Sequence, residues 1–310
     1  MNLLSFIKKN KIKTLLAILA IFNILFIHFY LPRIFIEPRN PIVRLLNKTS
    51  YKLSPNDFLM DYKDLEIYTK DGLQLNGYKI YSELNEVKGT VIFLHGIRAY
   101  KEHFLPMCKL LSKKGFNSVI IDLRGHGESG GTYCSFGYYE KYDIVSLMDQ
   151  LILDKRLGEN IGVWGQSLGG AIAIQTMAID KRIKFGIIES TFSDLNIVST
   201  EYLKRLLGVE NKLFSDYLLN RAYAIAALEI EEVVPKESVK NITHPILLVH
   251  GTEDKRINIY HAKLNFKNIV SKNKIFIEVE GATHLNVWKK GGGQYFKTVL
   301  NFLSSNSNKK

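Results

Sequence analysis

The feature that most constrains this chain's fold is a regular alternation of short apolar runs with helical patterns, from about residue 89 to the C-terminus. "GTVIFLHG" precedes "KEHFLPMCKLLSKKG", and "FNSVIIDL" precedes "YYEKYDIVSLMDQLILD". "NIGVWG" leads into "LGGAIAIQTMAID", and "IKFGIIES" into a helical stretch reaching about Val234. "HPILLVHG" precedes "NIYHAKLNFKNIV", and "NKIFIEVEG" precedes "QYFKTVLNFLSS". Runs this short and continuously apolar suit strands covered on both faces, and parallel strands need a crossover of helical length between them. Upstream, "LEIYTKDGLQLNGYKIYS" reads as a hairpin around Asp71-Gly72, a favoured tight-turn pair. An antiparallel start followed by six strand–helix units predicts an α/β fold: a mostly parallel eight-stranded sheet with helices on both faces.

Ahead of this unit lies "TLLAILAIFNILFIHFYL", Thr14 to Leu31, in which only Thr14, Asn23 and His28 are not apolar. Its 18 residues span about 27 Å as a helix, close to the hydrocarbon thickness of a bilayer. The run is long for the apolar region of a cleaved signal peptide, and no small-x-small site follows in "LPRIFIEPRNP". It therefore reads as an uncleaved transmembrane signal anchor over 14–31, preceded by a basic segment over 1–13. A connector over 32–60 carries Pro32, Pro38, Pro41 and Pro55, and the catalytic domain spans 61–310 with a small helical cap at about 191–240. Lysines precede the apolar run and basic residues follow it. The slight bias places the N-terminus in the cytoplasm and the catalytic domain outside it.

The net charge of +12 invites a nucleic-acid reading, but its distribution argues against one. The first 60 residues hold nine Lys and Arg against only Glu37 and Asp57, so the excess surrounds the apolar run. That placement suits anionic lipid head groups, and no nucleic-acid partner is expected. Cys108 and Cys134 are the only cysteines, too few for a disulfide scaffold or a four-cysteine zinc site. Gly125-His-Gly127-Glu-Ser-Gly130 matches a dinucleotide fingerprint, yet "GTYCSFG" after it is a loop where the phosphate-binding helix should begin. No cofactor and no metal are expected.

Candidate chemistry lies in "GVWGQSLGGA", where Gly165 and Gly169 flank Ser167 at a strand-to-helix junction. A serine there turns the chain sharply, and small residues two positions away let strand and helix approach without clash. A serine hydroxyl needs a histidine to take its proton and a carboxylate to orient that histidine. His284, in "EVEGATHLNVW", follows the last strand at the sheet edge where catalytic groups collect in such folds. It is also the only histidine late enough for the order serine, acid, histidine. In "LLVHGTEDKRI" Asp254 is the chosen acid, with Glu253 beside it, and Asp194 is a rival from the preceding strand. The Leu168 N–H, and the Ile97 N–H in the loop after "VIFLHG", are the candidate donors to a developing oxyanion.

"HGIRAYKE", "DLRGHGESGG", "GQSLGG", "LLVHGTEDKRI" and "GATHLNVW" occur in the order seen in α/β-hydrolases, and the chain resembles the serine aminopeptidase-like and BEM46-like members. The resemblance runs from about Asp64 to Leu303. It implies an α/β-hydrolase fold with Ser167, Asp254 and His284 as nucleophile, orienting acid and general base. It also implies an oxyanion hole from Ile97 and Leu168, and a structural role for Asp122 to Gly130. Arg98 and Tyr100 stand where many relatives carry small residues, which implies an unusual substrate near that loop.

The expected activity is a membrane-anchored serine hydrolase cleaving acyl esters or thioesters through an acyl-enzyme. Its partners are a small-molecule acyl substrate and the membrane, with no obligatory protein partner. A serine peptidase acting on short peptides is the first alternative, and a catalytically silent membrane-tethered binding protein the second.

Overall fold

The computed structural model describes residues 11–41, 53–208 and 211–307, the side chains of Leu206 and Leu207 apart. Residues 1–10 of the basic segment, 42–52 of the connector, 209 and 210 of the cap and the last three residues lie outside the described residues. Eight strands form one sheet: β1 (Tyr62–Tyr68), β2 (Gln74–Ile80), β3 (Gly89–Leu94), β4 (Phe116–Ile121), β5 (Ile161–Gln166), β6 (Ile183–Glu189), β7 (Ile246–Gly251) and β8 (Lys274–Val279). Their order is β1-β2-β4-β3-β5-β6-β7-β8. β1 and β2 form the hairpin about Asp71-Gly72, β2 meets β4 antiparallel, and every later pairing is parallel.

Side-chain alternation across the strands builds two cores. On one face Ile92, Leu94, Val163, Ile188 and Leu248 pack with Ile144, Leu147 and Ile172 of helices α3 (Glu140–Leu151) and α4 (Leu168–Ile179). On the other, Phe93, Trp164, Ile187 and Val249 meet helix α2 (Leu105–Ser112) and the C-terminal helix, Val287–Ser305. That last helix begins earlier than its sequence suggests and absorbs Gly291, Gly292 and Gly293, with a kink at Gly292 (φ 50°, ψ −140°). Its first turn persists because Val287 is fully buried and Trp288 stacks into the core, which outweighs the poor helix propensity of the glycines. Between β6 and β7 the cap comprises α5 (Leu195–Leu207), α6 (Lys212–Ala226) and α7 (Pro235–Ser238), and α8 (Ile259–Asn268) follows β7. The C-terminal helix is α9.

Helix α1 runs from Lys11 to Ile36, 26 residues whose most apolar stretch has a mean hydropathy of 2.2, with no residue of that stretch buried. It is long and apolar enough to cross a bilayer. Its hydrogen bonds widen to the π pattern over Phe26–Tyr30. Beyond that, the chain does not behave as a loose connector. Arg33–Ile36 is helical, and Phe35 and Ile36 are buried against Leu218, Leu219 and Ala222 of the cap.

The Gly125–Gly130 loop is a folding device. Asp122 Oδ1 accepts the Lys101 N–H at 2.9 Å, and its Oδ2 accepts Lys101 Nζ at 2.8 Å and the Glu128 N–H at 3.0 Å. Burial works against both charges, yet the neighbouring His95 and Lys101 hold Asp122 below its usual range, and Asp122 with Glu128 raises Lys101. Asp122→Ala would remove the buried partner of the Lys101 ammonium and leave it to the half-exposed Glu128 and to Glu102, 3.2 Å away. We expect a loss of about 3–5 kcal/mol in chemical denaturation. A loss below about 1 kcal/mol would show the pair to be incidental.

Candidate active site

The site is assembled where the parallel strands end. At the close of β5, Ser167 is held at φ 54° and ψ −117°, a conformation few side chains tolerate, and α4 starts at the next residue. The glycines beside it are required by space. A Cβ on Gly165 would fall 2.2 Å from the Gly169 carbonyl oxygen, and one on Gly169 would fall 1.9 Å from the Leu94 oxygen. Hydrogen bonds hold the strained turn. The Ser167 N–H donates to the Glu189 carbonyl at 2.8 Å, and the Ser167 carbonyl accepts the Thr191 hydroxyl at 2.7 Å.

Ser167, His284 and Asp254 come together. Ser167 Oγ lies 2.9 Å from His284 Nε2, and His284 Nδ1 lies 2.7 Å from Asp254 Oδ2. All three side chains are nearly buried. The second oxygen of Asp254 accepts the Arg256 and Ile257 N–H groups at 2.8 and 3.0 Å. Burial pushes the Asp254 carboxyl up, but hydrogen bonds from His250, His284 and the Ile257 N–H outweigh it and hold the group well below the usual carboxylate range. Asp254 is therefore anionic and aims the imidazole, leaving Nε2 to face the hydroxyl. The rival Asp194 does other work: it caps α5 through the Ile197 N–H at 3.2 Å and pairs with Lys236 at 2.8 Å. Glu253 is exposed on the rim.

The loop after β3 lies against Ser167, since a Cβ on Gly96 would sit 3.4 Å from Ser167 Cβ and 3.9 Å from its Oγ. Ile97 follows, its side chain packed on the core. On the other side, Leu168 opens α4, so its N–H has no carbonyl one turn earlier within the helix. A cleft of about 300 Å³ opens beside His284, lined by Glu253, Lys255, Arg256, Thr283 and Leu285. A larger hollow of about 760 Å³ lies between α5 and α6, and no residue of the Ser167 cluster lines it. Among the described residues no group of three or more His, Cys, Asp or Glu could hold a metal ion.

Sequence reasoning passed over two supports. His250 lies 3.4 Å from Asp254 Oδ2 while its Nε2 contacts the Ile257 carbonyl at 2.8 Å, which steadies the acid's loop. Its place at a strand end three residues before the Glu253-Asp254 pair was the available signal. Glu189 had a weaker one, an acid closing a strand whose other residues are apolar except for Lys184. Fully buried, it accepts Trp288 Nε1 at 2.7 Å and the Tyr295 hydroxyl, while its own carbonyl holds Ser167. It thus joins the Ser167 turn to α9, the helix that follows the His284 loop.

The fold and this cluster together define an α/β-hydrolase. The profile of the serine aminopeptidase family S33 matches residues 85–234. Relatives include the α/β-hydrolase domain-containing protein WAV2 of Arabidopsis thaliana, 27% identical over 85% of each chain. Protein bem46 of Schizosaccharomyces pombe is 26% identical, covering 82% of this chain and 80% of its own. Among solved structures, the Pyrococcus furiosus esterase Pf2001 superposes with a TM-score of 0.70 at 25% identity, over 84% of this chain and 96% of that one. These matches place the chain among the α/β-hydrolases, with its similarity running to the serine aminopeptidase-like and BEM46-like members.

Burial pushes the Glu189 carboxyl up to about 7, against hydrogen bonds from Tyr295 and Trp288 that favour its charged form. A carboxyl raised above its unfolded value near 4.5 stabilises the fold fully below that pH, and the contribution is lost as pH rises through about 7. The loss is on the order of 3 kcal/mol. Glu189→Gln removes the titrating group, so its melting temperature should stay flatter across that window than the parent's. Parallel curves for the two proteins would refute a neutral buried Glu189.

Proposed function

We propose that this protein is a serine hydrolase cleaving acyl ester or thioester bonds through an acyl-enzyme, with Ser167, Asp254 and His284 as its triad. The observation that carries the reading is the unbroken chain of contacts from Ser167 Oγ to His284 Nε2, at 2.9 Å, and from His284 Nδ1 to Asp254 Oδ2, at 2.7 Å. His284 takes the hydroxyl proton as Ser167 Oγ attacks the substrate carbonyl, and the Asp254 charge stabilises the imidazolium that forms. The Ile97 and Leu168 N–H groups receive the negative oxygen. His284 then protonates the departing alkoxide or thiolate. A water activated by the same histidine releases the acid and restores Ser167.

A peptidase acting on short peptides is the second reading, favoured by the matched serine aminopeptidase profile. An aminopeptidase must hold its substrate's ammonium, which calls for carboxylates beside the serine. The cleft rim offers Glu253 alone against Lys255 and Arg256, which supports the ester reading. The parent should label with a fluorophosphonate probe, and Ser167→Ala should not. Asp254→Asn should lower turnover about 10⁴-fold with the fold intact, because the wrong imidazole tautomer is favoured, whereas Asp194→Asn should cost little turnover. Labelling that survives in Ser167→Ala defeats the proposal, and turnover of aminoacyl amides but not of p-nitrophenyl or thioester substrates would move it to the peptidase.

We further propose that α1 anchors the protein in a membrane with the N-terminus cytoplasmic and the catalytic domain outside. The support is the unburied apolar stretch within Lys11–Ile36 together with the basic residues around its start. Protease added to intact cells should then digest the catalytic domain. Digestion only after lysis would reverse the orientation.

A further inference from the structure

Arg98, the residue after the proposed oxyanion donor Ile97, makes contacts that the mechanism above does not use. It is held at φ 63°, which costs a non-glycine residue roughly 1–2 kcal/mol and persists only where surrounding contacts enforce it. Its guanidinium supplies those contacts. Nη2 donates to the Ile34 carbonyl at 2.6 Å, and Nη1 lies 3.4 Å from the Tyr202 hydroxyl. Ile34 lies in the last turn of α1, and Tyr202 lies on cap helix α5.

Both anchor points are themselves fixed. Phe35, next to Ile34, meets the Tyr202 ring edge to face, with centroids 6.1 Å apart. The Ile36 carbonyl accepts the Cys134 N–H at 2.8 Å, and Arg39 donates to the Gly127 carbonyl at 3.2 Å and to that of Gly131. Among the described residues no carboxylate forms an ion pair with Arg98, so its full charge remains beside the loop that must face a developing anion. A planar fork can reach two acceptors on different elements at once, which the single ammonium of a lysine does less well.

We propose that Arg98 is a positioning residue: it pins the loop carrying Ile97 to the end of the apolar helix and to the cap, and so aims the Ile97 N–H at the tetrahedral oxyanion. The last turn of α1 is then part of the catalytic apparatus as well as a tether. The inference rests on the serine-hydrolase reading. It also gives Arg98 a role other than the unusual substrate contact that its sequence position implied.

The test uses the full-length protein in detergent. Arg98→Ala should lower kcat about 10- to 100-fold, up to the cost of a donor misplaced by about 1 Å and below the roughly 10²–10³ for one removed outright, with KM within about threefold of the parent. Affinity for a trifluoromethyl ketone, whose hemiketal oxygen occupies the oxyanion position, should fall by the same factor. Arg98→Lys and Tyr202→Phe should lie between Arg98→Ala and the parent, and Tyr202→Phe added to Arg98→Ala should cost nothing further. A kcat within twofold of the parent, or a loss confined to KM, would overturn the proposal. If Arg98→Ala fails to fold, parental kcat in both Arg98→Lys and Tyr202→Phe does the same. A parent that no fluorophosphonate labels removes the triad itself, whereas a labelled parent matched in rate by Arg98→Ala removes only the role of Arg98.

Discussion

The contact on which the rest of the site depends is the close approach of α4 to the ends of β3 and β5. Helix backbone passes so near the Leu94 carbonyl that Gly169 leaves no room for a methyl group, and Gly165 is equally confined by Gly169. This approach forces Ser167 into its positive-φ turn and lifts its hydroxyl out of the sheet edge. It also brings Gly96 against the serine, so one packing constraint sets both the hydroxyl and the loop beside it. The strain is borne by neighbours, through the Glu189 carbonyl, the Thr191 hydroxyl and the apolar face of α4 buried on the sheet.

Two buried carboxyls near that turn behave oppositely, and their partners explain why. Asp254 accepts hydrogen bonds from two backbone N–H groups and contacts two histidines, which more than replace the water it lost. It stays charged. Glu189 meets neutral donors, the Trp288 and Trp164 N–H groups and the Tyr295 hydroxyl, in an apolar surround, so burial prevails and its carboxyl shifts towards neutrality. An orienting acid beside an imidazole needs the first environment. A bracket between two elements is served by the second, because a neutral group costs less to bury.

The apolar helix is joined to this machinery more tightly than a tether requires. Phe35 and Ile36 are buried under the cap, His28 and the Tyr217 hydroxyl of α6 are in hydrogen-bond contact, and Arg98 reaches the Ile34 carbonyl. Loose connectors leave backbone groups to water, whereas here the carbonyls of Ile34 and Ile36 are both accepted into the catalytic domain's hydrogen bonding. The end of α1 and the loop after β3 are therefore tied directly to each other by hydrogen bonding.

Much of the architecture is a local property of the chain. Period-two and period-3.6 apolar patterns, Asp71-Gly72 at the hairpin and glycines around Ser167 are short-range signals, so strands, crossovers and the turn can be read without knowing what packs on them. Candidate chemistry is likewise legible, because few side chains can serve as nucleophile, base or acid at strand ends. What sequence could not decide is direction and partnership. Asp194 and Asp254 both follow strands, yet one caps its own helix and the other faces a histidine 30 residues away. Arg98 reads as a substrate contact until Ile34, 64 residues earlier, is found beside it. The closing helix reads as beginning near Gln294, until burial of Val287 and Trp288 adds an earlier helical turn across the kink at Gly292. The order of β4 and β3 in the sheet is similarly invisible in either strand alone. Periodicity is stored in neighbours along the chain, whereas a side chain's direction and protonation are set by whichever distant groups the packed sheet brings against it.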